Sequence, residues 1–388
     1  MNKIQLMNKI AKVGTDVFDR REYEVGDTVE NPDAIMVRSA ALHDLEFGNN
    51  LKAIARCGAG VNNIPIDRCS KDGIVVFNTP GANANGVKEL AICALLLAAR
   101  NIVGGIEWAK TLEGTDGVAK AVEAGKSKFA GGEIAGKTLG VIGLGAIGGM
   151  VANAACSLDM DVEGYDPFLS VEAAWSISRK VKKAASYEDI YKTADFITLH
   201  VPATPQTKNM INAQSIALMK DGVKIINLSR ADLVNAADIK AALESGKVSA
   251  YVTDFPTEDI LGVAGAIAIP HLGASTAESE DNCAVMAAYE LDDYLKNGNI
   301  KNSVNFPSVS APRTEDTRVC VLHANAPAVL QQITGIFGDM GINIEHCLNK
   351  SKGDNAYSMV EVKAGTVDEK IINKIKNIDG VCSVRVIG

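Results

Sequence analysis

Short apolar runs closed by Gly, Pro, Asn or charged residues alternate with longer helical stretches through most of the chain. Strand candidates are Ala34 to Val37, Ala53 to Cys57, Ile74 to Asn78, Thr138 to Ile142, Asp161 to Tyr165, Phe196 to His200 and Lys224 to Asn227. Most are apolar throughout rather than alternating, as strands of a parallel sheet covered on both faces must be. The pattern predicts an α/β protein with two doubly wound, Rossmann-like parallel sheets. Val87 to Ile102, with its LAICALLLAA centre, is apolar all round and predicts a buried helix able to join two domains. A second helix, Cys283 to Lys296, is placed to carry the chain back.

The first domain is therefore expected to be discontinuous, residues 1–86 with 285–308, around a nucleotide-binding domain at 87–284. Phe306 to Asp316 (FPSVSAPRTED) holds two prolines and two serines and predicts a short, stiff linker. Residues 317–388 then follow the order strand, helix, strand, strand, helix, strand, the split βαβ pattern of a ferredoxin-like module.

Composition narrows the partners. With 388 residues, 47% of them hydrophobic, the chain can bury two or more cores. A net charge of −8 leaves no basic footprint for nucleic acid or anionic lipid, so a small molecule is the expected partner. The eight cysteines are scattered without a CxxC pair, which argues for reduced thiols and against a metal site. No run of 18 apolar residues and no leader pattern is present, and a cytoplasmic protein is expected.

GLGAIG supplies Gly143, Gly145 and Gly148 directly after the run TLGVI, and Asp166 ends the following strand candidate. In a strand–turn–helix the first glycine permits the tight turn, the second lets backbone approach a pyrophosphate, and the third lets helix and strand pack closely. The helix N-terminus at Ala146 and Ile147 stabilises the phosphate charge. Asp166 would accept from the ribose hydroxyls and repel a 2′-phosphate, so NAD is the expected cofactor rather than NADP.

Oxidising an alcohol also requires a group that takes the hydroxyl proton, usually a histidine paired with a carboxylate. Of the five histidines, His43 lies among loop residues, His323 and His346 belong to the C-terminal module, and His200 suits a packed or cleft-wall position. His271, in IPHLGAST, remains.

The ordered series CGAGVNNIPID, NTPGANANGVKEL, GKTLGVIGLGAIG, GYDP, LHVPAT, NLSR, DFPTE and PHLGAST resembles the D-2-hydroxyacid dehydrogenase family over essentially the whole chain. The resemblance implies a catalytic set of Arg230, Glu258 and His271. His271 would exchange the substrate proton, Glu258 would orient the imidazole, and Arg230 would clamp the carboxylate with its planar fork. It further implies that His200, Val201, Pro202 and Asp254 line the cofactor. Two departures stand out. Ala231 follows the arginine where the family usually has glycine, and Thr253, Asp254 and Phe255 replace the usual D-V-F, so either Thr253 or Asp254 faces the nicotinamide.

Similarity to the branch that oxidises 3-phospho-D-glycerate to 3-phosphohydroxypyruvate, the first step toward L-serine, implies that Arg38 and Ser39, with Asn83, hold the substrate phosphate. Gly58, Ala59 and Gly60 form a glycine-flanked turn whose amides could receive the carboxylate. Lys126 or Lys128 would approach the phosphate from a neighbouring subunit of a homodimer or homotetramer. A glyoxylate, hydroxypyruvate or lactate reductase on the same frame would not need Arg38, and an NAD-sensing binding protein would not need the catalytic set. The C-terminal module, with its N-x-P-x-V-L opening, resembles the ACT family of amino-acid-binding regulatory domains. That likeness implies an L-serine site at His323 and Asn325, on the loop leaving the first strand, and at Asn343, beginning the second. Ala328 stands where that family usually has glycine.

Overall fold

A computed structural model describes residues 1–388 and contains three sheets. The first is built from β1 (Asn2–Met7), β2 (Tyr23–Gly26), β3 (Ala34–Val37), β4 (Ala53–Arg56) and β5 (Val75–Asn78). All pairings are parallel, in the order β2-β1-β3-β4-β5. Strand order reverses between β1 and β3, and such switch points open a crevice beyond the carboxyl ends of the strands. Arg38 and Ser39 leave β3 there, and Asn8, just past β1, accepts from the Ser39 and Ala40 amides at 3.1 and 2.6 Å.

The second sheet holds β6 (Thr138–Ile142), β7 (Asp161–Tyr165), β8 (Lys182–Lys183), β9 (Phe196–Leu199), β10 (Val223–Asn227), β11 (Val248–Thr253) and β12 (Ala266–Ala268). It too is wholly parallel, ordered β12-β11-β10-β9-β6-β7-β8, with its switch point between β6 and β9. The third sheet is antiparallel: β13 (Thr317–Ala324), β14 (Ile344–Lys352), β15 (Asn355–Val362) and β16 (Val381–Ile387), ordered β14-β15-β13-β16.

The chain divides into two compact units, Met1–Asn83 with Glu280–Gly388, and Ala84–Ser279. The C-terminal module belongs to the first, for a reason written in its alternation. Val319, Val321, Val360 and Val362 face the helices Val329–Asp339 and Glu369–Lys376, while Cys320, Leu322, Tyr357 and Met359 join the core formed by Phe77, Tyr294 and Phe306. Both faces of β13 are thus buried. The segment expected as a linker is tied down as well, because Phe306 and Val309 are buried and Ile300 pairs with Val309. Proline and serine content concealed two anchoring side chains.

The long helix Ala277–Asn297 ends against this module. Its last carbonyls accept from cationic side chains, Asn297 from Arg318 Nη1 at 2.6 Å and Leu295 from Arg385 Nη2 at 2.9 Å, while the Tyr357 hydroxyl donates to Gly298 at 2.6 Å. Positive charge at a helix C-terminus is favourable, and these donors satisfy carbonyls that have no partner inside the helix. Arg318 is fully buried and also pairs with Glu361, so none of its charge is left unanswered.

The apolar stretch expected as a helix is one, Ala84–Ala99, and a second helix, Ile102–Lys110, follows it after a break where Asn101 accepts from the Gly104 amide. Only one face of the first is buried, through Val87, Ala91, Ala94, Leu95 and Ala98, and Leu96 is exposed. No single helix is long and apolar enough to cross a membrane. Ala328 opens the helix Val329–Asp339 at φ 66°, a left-handed backbone that favours glycine, which explains why glycine is usual there.

Glu290, on the long helix, is buried with Oε1 accepting from Asn302 at 2.7 Å and Oε2 unpartnered. Burial pushes its carboxyl up to about 8 from an ordinary 4.5. Between those values the folded chain holds a proton that the unfolded chain has released, so stability falls as pH rises through that window. Glu290→Gln keeps an acceptor for Asn302 and removes the titration. It should raise stability against urea by at least about 1 kcal/mol at pH 8.5 and change it little at pH 4.5. Equal gains at both values would assign the effect to packing.

Candidate active site

Within the second unit the expected cofactor residues gather at the carboxyl ends of β6, β7 and β9. Gly143 turns at φ 89°, and a Cβ there would lie 2.4 Å from the His200 carbonyl oxygen. A Cβ on Gly148 would lie 1.9 Å from the Gly143 carbonyl oxygen, so helix Ala146–Ser157 can meet the turn only without a side chain at that point. Gly145 has nothing within 4 Å, which leaves backbone open to a bound group. Asp166 is held rigidly: Oδ2 accepts from Leu144 at 2.9 Å and Oδ1 from Phe168 at 2.8 Å. An open glycine flanked by two that tolerate no Cβ, beside an oriented carboxylate, fits a dinucleotide pyrophosphate and ribose.

His200 follows β9, its Nε2 2.9 Å from Thr198 Oγ1 and its Nδ1 without a partner. Loss of solvent lowers its pKa to about 4, so the ring is neutral near pH 7 and lines the wall of this site. Val201 contributes a Cγ1 beside Gly143, and the Pro202 carbonyl accepts from Thr207 at 2.6 Å.

Arg230, Asp254 and His271 leave neighbouring strands, β10, β11 and β12. Asn227, buried at the end of β10, donates to the Arg230 carbonyl at 2.8 Å and fixes that turn with alanine at 231. Phe255 gathers the side chains. The His271 ring centroid is 4.4 Å from that of Phe255, and the Arg230 guanidinium carbon lies 5.5 Å from the same ring. Nothing in its residue type alone marked Phe255, which stands two positions past β11, a strand not among those expected from sequence.

The carboxylates divide in a way that spacing could not reveal. Asp254 is buried, its Oδ2 accepting from Gly273 at 3.3 Å and its Oδ1 unpartnered. Burial raises its pKa, opposed by the positive charges of His271 and Arg230. Thr253 is also buried, but its hydroxyl is occupied by the Phe255 amide at 3.1 Å. Glu258 is exposed and makes no hydrogen bond or ion pair to His271.

In the first unit Arg38 pairs with Glu280, and Ser39, Ala59, Gly60 and Asn83 follow strand ends. The end of β4 brings in an unexpected residue, Arg56. A Cβ on Gly58, which sits at φ 143°, would overlap Arg56 Nη1, so the glycine makes room for the guanidinium. Asn78 Nδ2 donates to the Ala59 carbonyl at 2.7 Å and braces the turn. Lys126 is paired with Glu123, and Lys128 lies exposed nearby.

Asn325 follows β13 and Asn343 immediately precedes β14, as expected, but His323 is not on the loop between them. His323 lies inside β13, buried, with Nδ1 2.8 Å from the Ala324 carbonyl and Nε2 2.9 Å from Ser358 Oγ. Alternation puts it on a covered face, where both ring nitrogens are satisfied. Asn325 and Asn343 are exposed, donating to Gly353 at 3.0 Å and to Glu345 at 3.0 Å.

A parallel sheet with a glycine turn and an oriented acid at its switch point defines a dinucleotide-binding protein of Rossmann type. Residues 92–273 match the D-isomer specific 2-hydroxyacid dehydrogenase, NAD binding domain, and residues 319–383 match an AHAS small subunit-like ACT domain. The chain is 34% identical to a D-3-phosphoglycerate dehydrogenase of Synechocystis, covering 82% of this chain and 58% of that protein. With the enzyme of that name from Escherichia coli it shares 33% identity over 88% of this chain and 83% of the relative. A crystal structure of NAD+-bound 3-phosphoglycerate dehydrogenase from Entamoeba histolytica aligns with a TM-score of 0.61 at 26% identity, covering 78% of this chain and 98% of that one. The chain belongs to the D-isomer specific 2-hydroxyacid dehydrogenase family, and it spans little more than half the length of the Synechocystis relative.

Gly148→Ala should weaken NADH binding at least about tenfold, since the new Cβ displaces the turn that receives the pyrophosphate. Asp166→Ser should weaken NADH and narrow its advantage over NADPH. Fluorescence titration with the two cofactors measures both effects. An unchanged preference in the Asp166 variant moves the selectivity determinant elsewhere.

Proposed function

We propose that this chain is an NAD-dependent dehydrogenase that oxidises 3-phospho-D-glycerate to 3-phosphohydroxypyruvate, in the cytoplasm, on the route to L-serine. The observation that carries the reading is 33% identity to an enzyme of that name over 83% of its length, joined to an arginine at the β3 end for the phosphate. Bound NAD would accept the hydride from C2 of the substrate.

The chain's own residues supply the rest. His271 is exposed and its ring nitrogens make no hydrogen bond within the chain, so the imidazole is free to take the hydroxyl proton. Arg230, steadied against Phe255, clamps the carboxylate and polarises the C2 oxygen. Glu258 orients the imidazole when substrate is present; bonds of this kind are often unmade before substrate binds. Asp254 keeps one buried, unpartnered oxygen to accept from the nicotinamide carboxamide, whereas the Thr253 hydroxyl already accepts from the Phe255 amide, which favours Asp254. Arg38, Ser39 and Asn83 receive the phosphate, and the amides at Ala59 and Gly60 the carboxylate. Lys126 or Lys128 reaches the phosphate across the interface of a homodimer or homotetramer.

The C-terminal module is assigned an effector role with L-serine as ligand. The exposed amides of Asn325 and Asn343 can donate to a carboxylate and accept from an ammonium, while His323 acts from within the sheet by holding Ser358 and the strand end.

His271→Asn should leave NADH affinity near normal and reduce kcat by on the order of 10²-fold or more, measured in steady state. Near-normal turnover would end that assignment. Arg38→Ala should impair 3-phosphoglycerate far more than unphosphorylated D-2-hydroxy acids. Equal losses would favour a reductase of unphosphorylated acids on the same frame. L-serine should lower initial rates, and Asn343→Ala should relieve the inhibition. Saturating serine that neither slows the enzyme nor binds by calorimetry would remove the effector role.

A further inference from the structure

The guanidinium proposed to receive phosphate already holds an anion. Arg38 Nη2 lies 2.5 Å from Glu280 Oε1, with the two side chains 42% and 41% exposed. Glu280 stands in the first turn of helix Ala277–Asn297, where a negative charge is stabilised by the helix dipole. Its carboxylate is therefore held by its own helix as well as by Arg38, and it stays near Arg38 after their contact is broken. Arg56 lies at the adjacent strand end, Val37 being the register partner of Arg56. The first unit thus sets two guanidinium groups and one carboxylate near the ends of β3 and β4.

We infer that Glu280 is a specificity-determining residue, an internal carboxylate that competes with the substrate phosphate for Arg38. The inference rests on the phosphate reading given above. A phosphate monoester carries close to two negative charges and three acceptor oxygens, and it can take the arginine fork through two bonds. It can displace a single carboxylate that is half open to water. A neutral hydroxymethyl tail gains nothing from Arg38 that would offset breaking the pair, and it leaves the pair intact. Once displaced, Glu280 remains a like charge beside the bound phosphate and lowers its affinity again. Such a residue sets how strongly the enzyme prefers a phosphorylated substrate, and it does so by repulsion, the less visible half of specificity. An ion pair of this exposure is worth up to about fivefold in an equilibrium, and the residual repulsion adds to that.

The full-length protein, Glu280→Gln and Arg38→Ala are compared by calorimetry with inorganic phosphate and by steady-state kinetics with 3-phosphoglycerate and D-glycerate. Glu280→Gln is expected to tighten phosphate and lower the 3-phosphoglycerate KM about threefold to tenfold. The ratio of kcat/KM for 3-phosphoglycerate to that for D-glycerate should rise by a similar factor. Unchanged or weaker phosphate binding in Glu280→Gln overturns the inference and makes Glu280 a residue that merely orients Arg38. The arginine variant separates the two levels. If Arg38→Ala abolishes the preference for phosphate while Glu280→Gln has no effect, only the competition fails. If Arg38→Ala harms both substrates equally, the phosphate reading itself fails, and the competition with it.

Discussion

Parallel pairing is the constraint on which the rest of this structure depends. When every strand of a sheet runs the same way, all of its carboxyl ends emerge at one edge, and the loops that follow share one face. In the second unit, Gly143, Asp166, His200, Arg230, Asp254 and His271 follow β6, β7, β9, β10, β11 and β12 respectively. In the first, Arg38 follows β3 and Arg56 ends β4. Residues spread over more than a hundred positions are collected this way. Backbone pairing and buried aliphatic side chains carry the fold.

A second constraint acts through the helix Ala277–Asn297. Glu280 near its start meets Arg38, and its C-terminal carbonyls are capped by Arg318 and Arg385 of the C-terminal module. An element tied at both ends couples what it touches only where a ligand at one end favours one arrangement over another. The buried Arg318–Glu361 pair makes this junction unforgiving, since removing either partner would strand a charge in the core.

Charge at the strand ends of the second unit is governed by solvent access as much as by residue type. Asp254 and Glu258 are four positions apart in sequence, yet one is buried with a raised pKa and an idle oxygen and the other lies in water. His200 and His271 divide likewise, the first desolvated and neutral, the second exposed. Family resemblance names the positions, but tertiary structure decides which of them lose their solvent.

The apolar runs at 138–142 and 196–199 and the glycines at 143, 145 and 148 were legible in sequence because their signals are local. A strand fully covered must be apolar throughout, and a tight turn beside a phosphate admits no Cβ. The βαββαβ order of the C-terminal module was legible for the same reason. What depends on residues far apart in the chain was not. Phe306 and Val309 looked like linker until the core that receives them was present, and the LAICALLLAA helix looked buried all round although one of its faces is exposed. His323 resembled a loop ligand, but a covered sheet face and Ser358, 35 residues away, occupy its ring nitrogens. The pairing of Arg38 with Glu280, the space that Gly58 clears for Arg56, and the packing of His271 on Phe255 are likewise outcomes of tertiary structure. Sequence determines which conformations each segment can adopt, whereas solvent exclusion and through-space charge act only after distant segments have met.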